Sequence, residues 1–234
     1  MFRNIRFGVD KVASGDVPRH LHRGGYANIV LAGRFMEAAF AGRFRAEPGM
    51  ALIHAPFDCH ANVGAGGHGP TILRLPWRDR AVEGAFRVRD PDLLARLSET
   101  DPGEAERALR ETIEPIDVPH ESWADALAAA LAGGSTFALG DWADRHGLNP
   151  GSLSRGFRDV YQASPQRFRL QARTRRAWRR VLEETCSLTR IAHECAFADL
   201  AHMSRSIAAM TGHSPAAWRR SRALPRIPGQ IDMR

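Results

Sequence analysis

The sequence predicts an α+β fold: an antiparallel β-barrel in the N-terminal half, then an all-α domain holding two helix pairs joined by one long helix. Three observations predict it. The first 77 residues are short apolar or alternating runs broken by Gly-, Pro- and Asp-containing turns, with no long helical pattern between them. From residue 121 onward every segment reads as a capped helix. Finally, "LSRGFRDVYQASPQRFRL" at 153–170 is echoed by "MSRSIAAMTGHSPAAWRR" at 203–220. Each copy has Ser-Arg, an apolar residue two positions on, Ser-Pro ten residues after the first Ser, then an aromatic and Arg.

Taken in order, "ANIVLAG" (27–33), "RFMEAAF" (34–40), "ALIHAP" (51–56) and "TILRLPW" (71–77) are the expected strands. "AGRFRAEPGM" and "NVGAGGHGP" supply turns between them. The glycines of "GAGGHG" (64–69) have no helix after them, so they read as a hairpin loop and not a phosphate cradle. Residues 1–77 are thus expected as the barrel. Residues 78–120 change character: "DPDLLARLSE" and "DPGEAERALRETI" each open on Asp-Pro, an N-cap followed by a good first helical residue. This segment is expected to be a helical linker or a dimerisation element.

Residues 121–222 form the expected helical domain and 223–234 a tail. "SWADALAAALAGG" stops at Gly133-Gly134, and "LGDWADRHG" ends at Gly147. Asn149 caps "PGSLSRGFRDVYQ", and Ser164 caps the long "PQRFRLQARTRRAWRRVLEET". "SLTRIAHECA", "DLAHMSRSIAAMTG" and "SPAAWRRS" then repeat the order. Leu139 aligns with Leu188, Ala143 with Ala192, and Ser154-Arg155 with Ser204-Arg205, so the offset grows from 49 to 50 across the turn. Residues 139–161 and 188–211 each have the form of a helix-turn-helix, with Leu153/Phe157 and Met203/Ile207 packing the second helix inward. The connecting helix of about 20 residues spans ~30 Å, close to the ~34 Å between successive major grooves. Its arginines at 173, 175, 176, 179 and 180 are expected either on phosphates or in solvent.

Charge supports a polyanionic partner. Residues 1–120 hold 16 Lys+Arg against 16 Asp+Glu, whereas residues 121–234 hold 17 against 10, all of the +7 net charge. Double-stranded DNA is therefore the expected partner. No run of 18 apolar residues occurs, so no membrane partner is expected. The first twenty residues lack the pattern of a cleaved leader. Three cysteines without a CxxC pair suit a reducing compartment, and the expected location is cytoplasmic. No catalytic triad, P-loop or dinucleotide fingerprint is present in the sequence, and no enzyme activity is expected.

The run "AFADLAHMSRSIAAMTGHSPAAWRR" resembles the signature of AraC/XylS-type transcription regulators, over roughly residues 122–221. Two positions depart from the pattern: Ala196 stands for the usual turn glycine and Met203 for an aromatic. Ala196 is a poor residue for a turn with positive φ. The resemblance implies DNA contacts on the two second helices, from Gly151, Ser152, Ser154, Arg155 and Arg158 in the first unit. In the second unit it implies Ala201, His202, Ser204 and Arg205. Arg155 and Arg205 suit the O6/N7 edge of guanine, or else pair with a surface carboxylate such as Asp159. Gly151 offers no side chain, so the first unit is expected to read fewer bases. RNA polymerase and a second copy of the chain are further partners the resemblance implies.

"HLHRGGYANIVLAG" and "GRFRAEPGMALIHAPFDCH" resemble the two motifs of a cupin barrel, the usual sensory domain of this family. His20, His22 and His60 then sit where metal-binding cupins carry histidines, and Tyr26 occupies the place of the acidic ligand. Cys59 or Asp58 are candidate replacements, although neighbours of His60 on a strand point away from it. His20, His22, Tyr26 and His60 either line the pocket of a small-molecule effector, hold a metal ion through the three histidines, or do neither. No cofactor is assigned. The expected function is a sequence-specific DNA-binding transcription regulator answering to a small effector through its N-terminal barrel. The alternative is a metal-dependent cupin enzyme with a helical appendage.

Overall fold

A computed structural model describes residues 5–12, 14–64, 69–117 and 122–221. The expected tail at 223–234 lies outside these residues, as do Glu121 and Arg222, the ends assigned to the helical domain.

Among the described residues ten strands form two antiparallel sheets. The larger runs β1 (Gly8–Lys11), β8 (Thr71–Pro76), β3 (Tyr26–Ala32), β6 (Met50–His54), β9 (Gly84–Val88) and β10 (Ile113–Pro115) in spatial order. The smaller runs β2 (Val17–Leu21), β7 (Cys59–Gly64), β4 (Phe35–Ala38) and β5 (Arg43–Ala46). The sheets face one another and are not closed into the expected barrel, because each keeps its own two edge strands. β7 and β8, which flank the glycine-rich stretch expected as a hairpin loop, belong to different sheets and do not pair with each other. Residues 65–68 of that stretch lie outside the described part. Arg43–Ala46, expected within a turn, is a strand because its alternation buries Phe44 and Ala46 while Arg45 faces out.

Alternation along β3 assigns its two faces. Ala27 and Ile29 join Ile53, Leu73 and Leu75 under two helices, whereas Val30 joins Phe35, Phe44, Leu52 and Ile72 between the sheets. The helices are α1 (Pro91–Thr100) and α2 (Pro102–Thr112), capped by Asp90 and Asp101 as their Asp-Pro openings predict. Leu94, Ala105 and Leu109 bury against the larger sheet, and burying each leucine contributes roughly 2 kcal/mol. Beyond them β10 pairs with β9, and β9 with β6. The N-terminal unit therefore does not stop at residue 77. Residues 84–115 are the outer layer and far edge of the same domain, corrected from a linker by the apolar face that α1 and α2 must cover.

The helical domain comprises α3 (Trp123–Ala132), α4 (Leu139–Arg145), α5 (Pro150–Tyr161), α6 (Pro165–Glu183), α7 (Leu188–Glu194), α8 (Leu200–Thr211) and α9 (Pro215–Ser221). Side chains of Ser122, Asn149, Ser164, Ser187 and Asp199 cap the helices that follow them. Close packing of α3 on α5 requires Gly156, where a Cβ would lie 2.9 Å from Cζ2 of Trp123.

The smaller sheet turns its outer face onto these helices. Ala38 and Phe40 join the cluster of Leu127, Phe157, Tyr161 and Phe168. Leu21 and Phe57 join that of Trp178, Ile191, Ile207 and Trp218. Arg19 lies over the rings of Phe40 and Phe168 and donates to Gln171 at 3.0 Å. Arg43 pairs with buried Asp125 of α3 at 3.0 Å. The molecule is layered: two helices, six strands, four strands, then the helical domain.

Candidate nucleic-acid interface

The two helix-turn-helix units are built alike down to individual hydrogen bonds. In the first turn, Gly147 (φ 63°) donates to Asp144 O at 3.2 Å and Leu148 to Ala143 O at 2.9 Å. In the second, Ala196 (φ 57°) donates to His193 O and Phe197 to Ala192 O, both at 2.9 Å. Both are Schellman turns, which need a left-handed residue in this place. Ala196 adopts the conformation that its side chain disfavours, against the sequence expectation. Arg173 of α6 holds it there, donating to Ala196 O at 2.6 Å and lying over the ring of Phe197. The aromatic-Arg pairs that close each repeat also match. Phe168 and Trp218 are buried, Arg169 donates to Phe137 O at 2.8 Å, and Arg219 donates to Cys186 O at 2.7 Å. Phe137 and Cys186 each precede the first helix of their unit by two residues.

The second helices, α5 and α8, present the expected face outward. Leu153, Phe157, Met203 and Ile207 are buried, while Gly151, Arg155, Arg158, Ala201 and Arg205 are exposed. Ser152, Ser154, His202 and Ser204 are half-buried. The backbone N–H of Ser152 is bound by Asn149 and that of His202 by Asp199. His202 also sits edge-on to Phe197 at 5.2 Å. Among the described residues neither Arg155 nor Arg205 has an ion-pair partner, so the alternative pairing of Arg155 with Asp159 is not formed. The helix joining the units has 19 residues and spans about 28 Å.

Its arginines do not decorate a free rod. Arg175 is buried, donating to Glu83 and to Pro56 O at 3.2 Å. Arg179 donates to Glu83 at 2.9 Å and to Arg80 O at 3.1 Å. Arg176 donates to Ala132 O at 3.0 Å, and Arg180 pairs with Glu184 and Glu194. The sequence expectation of phosphate contacts or solvation is corrected: these guanidinium groups tie α6 to its own domain and to the β domain.

Residues 142–221 match the family described as Helix-turn-helix domain. They form a helix-turn-helix domain. The chain is similar in structure to a transcriptional regulator with an AraC-type DNA-binding domain from Chromobacterium violaceum. The identity is 22%, over 42% of this chain and 90% of that one, with a TM-score of 0.39. It is similar to the DNA-binding domain of AdpA solved with a target DNA, at 24% identity over 42% of this chain and 90% of that one, TM-score 0.39. Similarity to ToxT from Vibrio cholerae extends over 91% of this chain and 97% of that one, at 7% identity and TM-score 0.41. No curated protein matches the chain.

Behind the helix-turn-helix domain, between the two sheets, lie the residues the cupin resemblance singles out. His20, His22, Tyr26 and His60 come together and are all buried. Their rings pack on each other, with His20 to His60 at 4.5 Å and His22 to Tyr26 at 4.9 Å. His60 Nε2 shares a hydrogen bond with Tyr26 Oη at 3.1 Å. A small cleft lies elsewhere between the sheets, lined in part by Asn28, Phe35, Asn62, Ile72 and Arg74.

Two residues in this core, Glu37 and His54, escape the sequence reading. Glu37 of β4 and His54 of β6 are buried beside His60, and Asp58 closes the group. His54 Nδ1 lies 2.8 Å from Asp58 Oδ2 and Nε2 lies 3.4 Å from Glu37 Oε1. Burial disfavours the charged ring of His54, but the two carboxylates outweigh it and raise its pKa to about 10. Burial likewise pushes the Asp58 carboxyl up, yet His54 and Arg175 hold it at about 2. For His60, burial and the three histidines around it hold the pKa well below the usual 6.5, although Asp58 Oδ2 lies 3.9 Å from its Nδ1. The signal in the sequence was a single polar residue inside each of two apolar strands, "FMEA" and "MALIH". Asp58 reaches His54 because it precedes β7 and escapes strand alternation; Phe57 before it turns at φ 57°.

Proposed function

We propose that this protein is a sequence-specific, cytoplasmic transcription regulator that places α5 and α8 in adjacent major grooves on one side of a DNA duplex. The observation that carries this reading is the outward polar face of both second helices, in units joined by one packed helix about 28 Å long. Affinity comes from the basic half and specificity from side chains of the two units. Base-edge candidates are Arg155 and Arg205, with Ser152, Ser154, Arg158, His202 and Ser204 around them. Gly151 and Ala201 allow close backbone approach. Control by an effector passes through the β domain, because that domain packs directly on α6. RNA polymerase and a second copy are the partners such a regulator engages. A metal-dependent enzyme would leave residues 142–221 without a purpose.

The test is a mobility shift of the full chain against the DNA upstream of its own gene and a scrambled duplex, across a salt series. Preference for the upstream DNA that survives added salt is expected. Weak binding to both, lost together as salt rises, would reduce the basic half to a nonspecific polycation.

A further inference from the structure

We infer that Glu37, His54 and His60 form a binding site for one divalent transition-metal ion of the zinc class, wired to the linker helix through Asp58. One donor atom from each of the three residues lies within 4.8 Å of the others, and all three side chains are buried. Ligands ~2.1 Å from a tetrahedral ion lie ~3.4 Å apart, so closure from 4.8 Å needs side-chain movement on the order of 1 Å. Two histidines with one carboxylate are a donor set suited to such an ion, with coordination positions left for water or a further ligand.

Two observations point to a ligand and not merely to a polar core. His60 Nδ1 is a buried nitrogen without a hydrogen bond, an arrangement that is costly unless something else satisfies it, and His54 Nε2 has only the long 3.4 Å contact to Glu37 Oε1. In addition, each of the three residues has the kind of outer partner that fixes a metal ligand. Asp58 holds His54 Nδ1 at 2.8 Å, leaving Nε2 towards Glu37. Tyr26 holds His60 Nε2 at 3.1 Å, leaving Nδ1. With its amide turned to satisfy both ends, Asn62 donates to Glu37 Oε2 at 3.2 Å. The ion's two positive charges would face the carboxylates of Glu37 and, behind His54, Asp58.

This set differs from the one the cupin resemblance implies. His20 and His22 form a second trio with His60, on the other side of that ring. Since both trios use His60, an ion held by Glu37 and His54 takes that residue away from the other pair.

The position of Asp58 gives the site a reach beyond the sheets. Pro56, Phe57 and Asp58 form the turn that docks on α6. Pro56 O accepts from Arg175, Phe57 enters the cluster of Trp178 and Trp218, and Asp58 Oδ1 lies 3.9 Å from Arg175 Nη1. Fixing His54 on an ion fixes Asp58 and with it this turn. On the reading that α5 and α8 bind DNA, metal occupancy then favours one arrangement of the reading helices.

The experiment is titration of metal-stripped full-length protein with Co2+, followed by its ligand-field absorption without DNA present, then displacement by Zn2+. One equivalent of Co2+ per chain is expected. Glu37→Gln and His60→Gln should abolish uptake or weaken it at least 100-fold, whereas Asp58→Asn should keep the stoichiometry at about 10–100-fold lower affinity. His22→Gln should bind as wild type does. Wild-type protein that takes up no Co2+ above a buffer control overturns the proposal, whatever the variants do. So does wild-type affinity in a folded Glu37→Gln with loss in His22→Gln, which would move the ion to the other trio. Because uptake is read without DNA, its failure leaves the DNA-binding reading standing, and a failed mobility shift leaves the metal site standing.

Discussion

The ring of Phe57, on a turn of the β domain, stands edge-on to that of Trp178 on the linker helix, with centroids 4.8 Å apart and planes at 78°. Phe57 is buried there although its backbone lies in the left-handed region, which ordinarily costs a bulky residue 1–3 kcal/mol. The strain is tolerated because the ring fills the helical domain's own core. Phe57→Ala keeps the strain and removes the ring, so it should destabilise the full chain by about 3–5 kcal/mol. Denaturant unfolding measures this. A loss below ~1 kcal/mol would show that the two halves are merely in contact.

Ala196 offers the opposite experiment. It carries a side chain at φ 57° where the matching position in the first unit is Gly147. A left-handed alanine costs roughly 1–2 kcal/mol, and glycine returns part of that gain through its freer unfolded chain. Ala196→Gly should therefore stabilise the protein by about 0.5–1 kcal/mol, read as a higher melting temperature. If the variant melts lower, Arg173 and Phe197 hold the turn through something that glycine disturbs.

Arg205 and Arg155 occupy equivalent places on α8 and α5. Arg205→Ala should cost roughly 1–3 kcal/mol on the specific site and relax preference at one base position. Binding to duplexes varied one position at a time distinguishes this from a phosphate contact, which would weaken every duplex alike. Arg155→Ala should affect fewer positions, since Gly151 beside it adds no side chain.

Acid should loosen the joint between α6 and the second unit. The hydrogen bond from Arg180 holds Glu184 at about 2, below its ordinary 4.5. A depressed carboxylate contributes stability above its unfolded value and loses it as pH falls through the folded one, here from 4.5 towards 2. Glu184 is partly exposed, so the contribution is small. Melting curves taken from about pH 6 down to about pH 2 should fall less steeply for Glu184→Gln than for wild type. Parallel curves would place the acid sensitivity elsewhere.

The helical half is legible in the sequence because its signals are local. Asn149, Ser164, Ser187 and Asp199 announce helix starts within three residues of the groups they bind. The fifty-residue echo of Ser-Arg and Ser-Pro marks equivalent places in the two units. The β half is legible only in outline. Its strands at 84–88 and 113–115 are defined by partners far along the chain, and no local pattern marks them. Arg175 and Arg179 read as surface residues because the carboxylate that receives them, Glu83, lies 92 and 96 positions away. The cluster around His60 was half visible: the His-x-His spacing marks His20 and His22, whereas Glu37 and His54 arrive from separate strands.

The smaller sheet has its outer face covered by the very helices that carry the reading heads. Cutting the chain near residue 120 would expose Phe40 and Phe57 on one side, and Phe168 and Trp178 on the other. The halves are therefore poor interchangeable parts. A chimera joining this β domain to a foreign helix-turn-helix domain would have to bring along a matching helix surface, so the two halves are bound to diverge together.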